Sequence, residues 1–263
     1  MIAGGTGFYE LAKRGYIPEV KELVSIMKLG LDYVKEEPSR LIIGSTTRLQ
    51  NLLESGAGDK SGFEAIGDAL REIRPIQVRN VATVGGEVCI SVPIVDLPTA
   101  LLACRSSIMI MGQENSIREI PLEDFYIDAF LTRLKYGEIV KEVVVPTVSS
   151  TDEHSAFVKL GRTSYDFNLV NAAVSLSIKG NDKINSIRVF LGGIKRTPIR
   201  AVNFEKKLLG KRIDHESIID AVEDTFENEK LLPSVHGSSE YKRAVLPVIL
   251  RDCVMKAYER RRS

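Results

Sequence analysis

Residues 74–98, RPIQVRNVATVGGEVCISVPIVDLP, constrain this chain more than any other stretch. The first half closes an apolar run on a glycine pair, Gly85-Gly86, and the second half carries a lone acid, Asp96, between Pro93 and Pro98. A glycine pair leaves no Cβ between the backbone and a ligand. Several N–H groups converging at such a turn make a concavity for an anion. A carboxylate fixed a short way downstream accepts hydrogen bonds of the kind a ribose hydroxyl donates. Phosphate plus sugar points to a nucleotide. Taken singly, a Gly-Gly pair or an acid between prolines is more often a plain turn.

What lifts the stretch above a turn is a second glycine cluster, Ala3-Gly4-Gly5-Thr6-Gly7, leading into a helix over 8–14. A glycine turn feeding a helix N-terminus suits a phosphate, because unpaired N–H groups and the helix dipole both favour an anion. Such a loop ordinarily hangs from a strand, and only Met1, Ile2 and Ala3 stand before Gly4. A third glycine run, GAGDKSG over 56–62, fails the GxxxxGK[ST] spacing and follows a helix, so it reads as a C-cap and loop.

The rest of the chain alternates short strands and helices. Strands are expected over 29–35 and 41–44, then a helix over 48–55 with Thr46 or Thr47 as N-cap. Ile66, Leu70 and Ile73 share one face of an amphipathic helix over 63–74. A short helix over 99–104 precedes strands over 107–111, 117–120 and 139–145. The polar, aperiodic PTVSSTDE over 146–153 marks a domain boundary. Beyond it come apolar β-rich runs over 155–159, 169–179 and 184–191, with a hairpin turn at Gly180-Asn181-Asp182. Helices follow over 201–209, 215–227 and 239–262; the last carries a kinking Pro247 and ends in Arg260-Arg261-Arg262, as the helix dipole favours.

Composition narrows the function. With 263 residues, a net charge of +1 and scattered basic residues, nothing marks a nucleic-acid or anionic-membrane surface. No apolar run reaches the length of a membrane span, and the opening residues lack the pattern of a signal peptide. Three cysteines without CxxC spacing argue for a reducing compartment and against an iron–sulfur site of the chain's own. His154, His215 and His236 show no metal-ligand spacing, and no nucleophile–base constellation stands out, so neither a metal nor a catalytic residue is expected.

In order, AGGT, IGSTTRLQNLL, QVRNVATVGGEV, SVPIVDLPTALLA, GEIVKEVVVP, FVKLGRTSYDFNLVNAAVSL and HGSSEYKRAVLPVILRDCV resemble the FAD-binding medium subunit of the molybdenum hydroxylase family. That family includes xanthine dehydrogenase and aerobic carbon monoxide dehydrogenase. The resemblance implies an α+β fold in two domains. Residues 1–149 would form a two-lobed FAD-binding domain of the vanillyl-alcohol-oxidase-like (PCMH) type, without the strand and helix, about thirty residues in all, that the family carries before AGGT. Residues 150–263 would form a smaller α+β domain of the carbon monoxide dehydrogenase flavoprotein type, with a three-stranded antiparallel sheet and helices.

The resemblance also implies a site. Ala3, Gly4, Gly5, Thr6 and Gly7 fall in one loop that clasps the FAD pyrophosphate, and Thr83, Val84, Gly85, Gly86 and Glu87 in the other. Asp96 would meet the ribose of the adenosine half, Val140 would pack on the isoalloxazine ring, Lys159 would lie near its polar edge, and Ile73 would approach the adenine. Two residues depart from the family's pattern: Gly7 replaces an Asp, Asn or Ser, and Glu87 an Asn or Ser. A carboxylate beside a pyrophosphate is repulsive unless it points away or pairs with a base such as Arg79. The implied role is electron transfer through FAD, in the cytoplasm, between a small subunit with two iron–sulfur clusters and an external acceptor. A molybdopterin-binding large subunit would carry the substrate chemistry, in a dimer of heterotrimers. The alternative is a structural or assembly subunit that keeps the fold without FAD.

Overall fold

The computed structural model describes residues 1–17, 19–147, 152–180 and 182–261. Helix α1 (Thr6–Lys13) opens the chain, followed by the hairpin β1 (Val34–Glu37) and β2 (Arg40–Gly44). Five short helices come next: α2 (Leu49–Glu54), α3 (Glu64–Glu72), α4 (Ile76–Arg79), α5 (Val84–Cys89) and α6 (Leu97–Ala103). Strands β3 (Ser107–Met111) and β4 (Ile117–Pro121), helix α7 (Leu122–Phe125), the small hairpin β5 (Tyr126–Asp128) and β6 (Leu131–Thr132), and β7 (Ile139–Pro146) complete this half. The main sheet has the order β1-β2-β7-β3-β4, with every pair antiparallel. Strand β3 alternates buried and half-buried residues, as expected of a strand with one covered face. Its Ile108 and Ile110 join Leu41, Ile43, Val143 and Val145 in a core closed by Leu49, Leu52, Ile66, Leu70 and Leu101 from the helices.

Around β1 and α2 the structure departs from the sequence expectation. The strand expected over 29–35 begins only at Val34, and Leu31 instead accepts the Thr46 N–H through its carbonyl. Neither Thr46 nor Thr47 caps α2. Arg48 holds the N-cap position without a side-chain bond, and the Thr47 hydroxyl is drawn to the Tyr33 backbone, 3.0 Å from both its N–H and its carbonyl. The hairpin edge out-competes the helix end for that hydroxyl.

The second half contains three long antiparallel strands, β8 (Glu153–Leu160), β9 (Val170–Lys179) and β10 (Lys183–Gly192), with a two-residue strand β11 (Ile199–Arg200) added at the β10 edge. Helices α8 (Val202–Leu208), α9 (His215–Phe226) and α10 (Ser239–Arg260) follow; α10 runs through Pro247. Strand β9 is buried at every residue but its last, because both faces are covered. One cross-strand row, Phe157–Ala173–Phe190, belongs to the first core, while the next, Ala156–Val174–Val189, belongs to a second core built with α8, α9 and α10. The sheet therefore serves two cores at once. The expected boundary between 149 and 150, Asn181 of the hairpin turn and Arg262 lie outside the described residues.

A polar seam fastens α3 to β8. Strand β8 ends its sheet, so its outer N–H groups need acceptors. Glu64 and Asp68, one helical turn apart on α3, supply them: Glu64 accepts from Ser155 N–H at 3.0 Å, and Asp68 from Phe157 N–H at 3.1 Å. Asp68 also receives Arg260 through two N–H groups at 2.8 and 2.9 Å, and Lys256 lies 3.0 Å away. Burial raises the Asp68 carboxyl, but Arg260 and Lys256 outweigh it and hold it below its ordinary value. An acid held low in the folded state contributes stability above its unfolded pKa and loses it as pH falls through the folded value. We expect Asp68→Ala to cost about 3 kcal/mol at pH 7, by stranding Arg260 and the Phe157 N–H. Urea denaturation should show the wild type losing this advantage as pH falls below about 4, and the variant losing much less over the same interval.

Candidate functional site

The first glycine loop is held by few residues. Ile2 donates its N–H to Val24 at 2.8 Å and accepts from Ile26 N–H at 3.0 Å, a parallel bridge centred on Ser25. Three residues thus tie the loop down where a strand was expected to be needed. Gly4 lies so close to the chain before α5 that a Cβ there would sit 1.9 Å from the Val81 carbonyl oxygen. Gly5, with φ of 74°, turns the backbone through the left-handed region into α1. The helix ladder begins with Tyr9 N–H bonding to Gly5 at 2.9 Å. Ahead of it, the backbone N–H groups of Gly4, Gly5, Thr6, Gly7 and Phe8 have no acceptor among the described residues. These residues border a cavity of about 300 Å³, together with Ala3, Thr83, Gly86 and Glu87 among others.

The second glycine pair does something else. It lies within the first turn of α5, whose N-cap Thr83 accepts from Gly86 N–H at 3.2 Å. Val84 N–H bonds to Thr47 at 2.9 Å, Gly85 N–H to Ser45 at 2.8 Å, and Glu87 N–H to Thr83 at 3.0 Å. The free N–H groups expected at Gly85-Gly86 are therefore committed within the protein. Glycine at 85 is needed for packing: a Cβ would come 2.7 Å from the Ser45 Cβ. Val84 and Gly85 are buried, and of this loop Thr83, Gly86 and Glu87 reach the cavity.

A smaller cavity, about 120 Å³, is bounded by Ile73, Glu87, Asp96, Lys159 and Phe167 among others. Here two residues expected at opposite parts of a cofactor meet. Lys159 Nζ donates to Asp96 Oδ2 at 2.8 Å, and both side chains are almost fully buried. Lys159 also donates to the Glu72 carbonyl at 3.1 Å. The other Asp96 oxygen accepts from the amides of Asn168 and Asn171, each at 3.0 Å. Burial pushes the Asp96 carboxyl up, against the pull of Lys159 and the two amides. The asparagines escaped the sequence reading. Their signal was two amides three residues apart in the apolar run FNLVNAAV, where a buried amide needs a partner.

Glu87 borders both cavities and is half-buried. Burial, reinforced by Asp96 and opposed by Lys159, raises its carboxyl to about 7. Arg79 does not pair with it; that guanidinium donates to Gln50 at 2.8 Å and to the carbonyls of Ile73 and Arg74 at 2.6 and 3.1 Å. Val140 stands apart. It is 3% exposed in β7, belongs to the first core and borders neither cavity, because its side of the strand faces the helices. Among the described residues no group of three or more His, Cys, Asp or Glu is placed to hold a metal ion, and no helix is long and apolar enough to cross a membrane. A row of unpaired N–H groups against a glycine cradle fits the diphosphate of a dinucleotide such as FAD.

Comparison with known proteins agrees with this chemistry. Residues 1–148 match the family model of the FAD binding domain in molybdopterin dehydrogenase, and residues 155–257 that of the CO dehydrogenase flavoprotein C-terminal domain. The glyceraldehyde dehydrogenase medium chain of Sulfolobus acidocaldarius is 30% identical over 98% of this chain and 89% of its own. The carbon monoxide dehydrogenase medium chain of Hydrogenophaga pseudoflava is 25% identical over 99% of this chain and 89% of its own. A solved structure of carbon monoxide dehydrogenase from that organism, lacking the Mo-pyranopterin moiety of its cofactor, superposes with a TM-score of 0.90 at 25% identity, over 98% of this chain and 89% of that one. The chain therefore belongs to the family of FAD-binding medium subunits of the molybdenum hydroxylases, which includes the carbon monoxide dehydrogenase medium chains.

Proposed function

We propose that this chain is the electron-transfer subunit of such an enzyme, taking electrons from the iron–sulfur clusters of a partner subunit and passing them to an external acceptor through bound FAD. The observation that carries the reading is the row of unpaired N–H groups from Gly4 to Phe8 over a cavity. FAD, when bound, supplies the capacity to accept electrons singly and to release them as a pair. The chain's own residues bind and tune. The N–H groups at 4–8 hold the diphosphate, Thr83, Gly86 and Glu87 border it, and the Lys159–Asp96 pair places a buried charge pair beside the smaller cavity. Two units, 1–149 for FAD and 150–263 as its support, divide the chain in this reading. The partners are a molybdopterin-binding large subunit and a small subunit with two iron–sulfur clusters, in a dimer of heterotrimers. Free thiols at Cys89, Cys104 and Cys253 support a reducing, cytoplasmic setting.

The purified complex should carry flavin absorbance and contain both partner subunits. Colourless protein that cannot be reconstituted with FAD would instead indicate a structural or assembly subunit. Gly4→Ala should push the first loop off the Val81 carbonyl and weaken FAD binding by at least about tenfold, or about 1.4 kcal/mol, in a fluorescence titration. Lys159→Met leaves Asp96 buried without its cation, and should cost about 3 kcal/mol of stability. The same variant should lower the midpoint potential of bound FAD in a spectroelectrochemical titration, because a positive charge near the cofactor favours its reduced form.

A further inference from the structure

We propose that Glu87 binds FAD as the neutral carboxylic acid, donating a hydrogen bond to a diphosphate oxygen, so that each FAD bound brings one proton with it. This rests on the FAD reading above and adds a chemical condition to it.

The cavity is built to attract an anion, yet Glu87 stands on its border. A carboxylate can coexist with a diphosphate there only with a cation between them or with its own charge removed. The cations nearby are spent. Lys159 is bound to Asp96 and to the Glu72 carbonyl; Arg79 to Gln50, Ile73 and Arg74; Arg74 to Glu72 at 3.1 Å. The Glu87 side chain itself has neither a hydrogen bond nor an ion pair among the described residues. Of the remaining positive charges, the Met1 ammonium borders the larger cavity and Arg162 lies 3.4 Å from Asp166; neither is ion-paired with Glu87. Tyr126 and Cys89 are held in their neutral forms by burial, and Asp96 and Asp166, which border the smaller cavity with it, are acids. A protonated carboxyl presents one O–H donor, the group an anionic oxygen needs. The surroundings already move Glu87 toward that form before any ligand arrives, because burial and Asp96 oppose the charge more than Lys159 supports it. An arriving diphosphate adds negative charge and strengthens the preference.

The linkage has a definite sign. Where Glu87 is ionised in the free protein and protonated in the complex, binding consumes a proton, so affinity falls about tenfold for each pH unit above about 7. Below that value the proton is already present and affinity levels off.

Isothermal titration with FAD at pH 8.0, in phosphate and in Tris, counts the protons exchanged, because the two buffers differ in heat of ionisation. The wild type should take up close to one proton per FAD. Glu87→Gln, of the same size and permanently neutral, should take up none and keep one affinity from pH 6 to pH 9. Glu87→Asn serves as a second neutral variant. Wild-type binding without proton uptake, or a Gln variant retaining the wild-type pH slope, overturns the proposal and leaves the FAD reading standing. Failure of wild type and variants alike to bind FAD at any pH overturns the FAD reading, and this proposal with it.

Discussion

The buried bond between Lys159 and Asp96 holds together parts of the chain that are far apart in sequence. Asp96 stands at the head of α6, a helix with every residue buried, packed against α3 and α5 on one side and β9 and β10 on the other. Lys159 comes from β8, Asn171 from the start of β9, and Asn168 from the chain just before it. One carboxylate therefore registers the second sheet against the helical layer of the first half. Two charges taken this far from water stabilise little in net terms, and the larger effect is the cost of breaking them. A pair of that kind fixes geometry. Here it fixes the wall of the smaller cavity, and Glu87 borders both that cavity and the larger one next to the phosphate loop.

The same requirement explains the seam along β8. An edge strand whose N–H groups met no acceptor would be an open site for pairing with another chain. Glu64 and Asp68 close it at a helical spacing that matches alternate residues of the strand, and α10 returns from the far end of the sequence to balance the charge through Lys256 and Arg260. The apolar rows on either face of β9 supply the bulk of the burial, while these carboxylates set the register.

The strongly periodic parts of the fold were legible in the sequence. The runs SAFVK, LVNAAVSLSIK and INSIRVFL became β8, β9 and β10 with ends shifted by a residue or two, and SIMIM became β3. Short elements were not. Helices α4 and α5 carry too few residues to show a period, and α5 hides a glycine pair that reads as a turn until Ser45 is seen against Gly85. For the site, residue identities were visible but partnerships were not. Asp96 and Lys159 were expected at separate parts of one cofactor, and their mutual bond depends on the packing of α6 on β9. Val140 reads as a generic apolar strand residue, and its burial in the first core is set by the facing helices.

The two glycine clusters look alike on paper and divide the work between them. Gly85-Gly86 is spent inside the protein: Gly85 N–H ties α5 to Ser45, Gly86 N–H goes to the Thr83 hydroxyl, and neither is left free for an anion. Gly4 packs on that finished surface, and the N–H groups of Gly4 and Gly5, which border the cavity, have no acceptor among the described residues. The order matters physically. A loop that offers its N–H groups to a ligand binds it well only if it is already held in place, because ordering it on binding would cost affinity. Val81 and α5 are that support, just as Ile2 on Ser25 is the tether. Residues 74–98 thus shape the site chiefly as its floor, and what they lend to the ligand is the side chain of Glu87, the one group there whose charge the surroundings leave open.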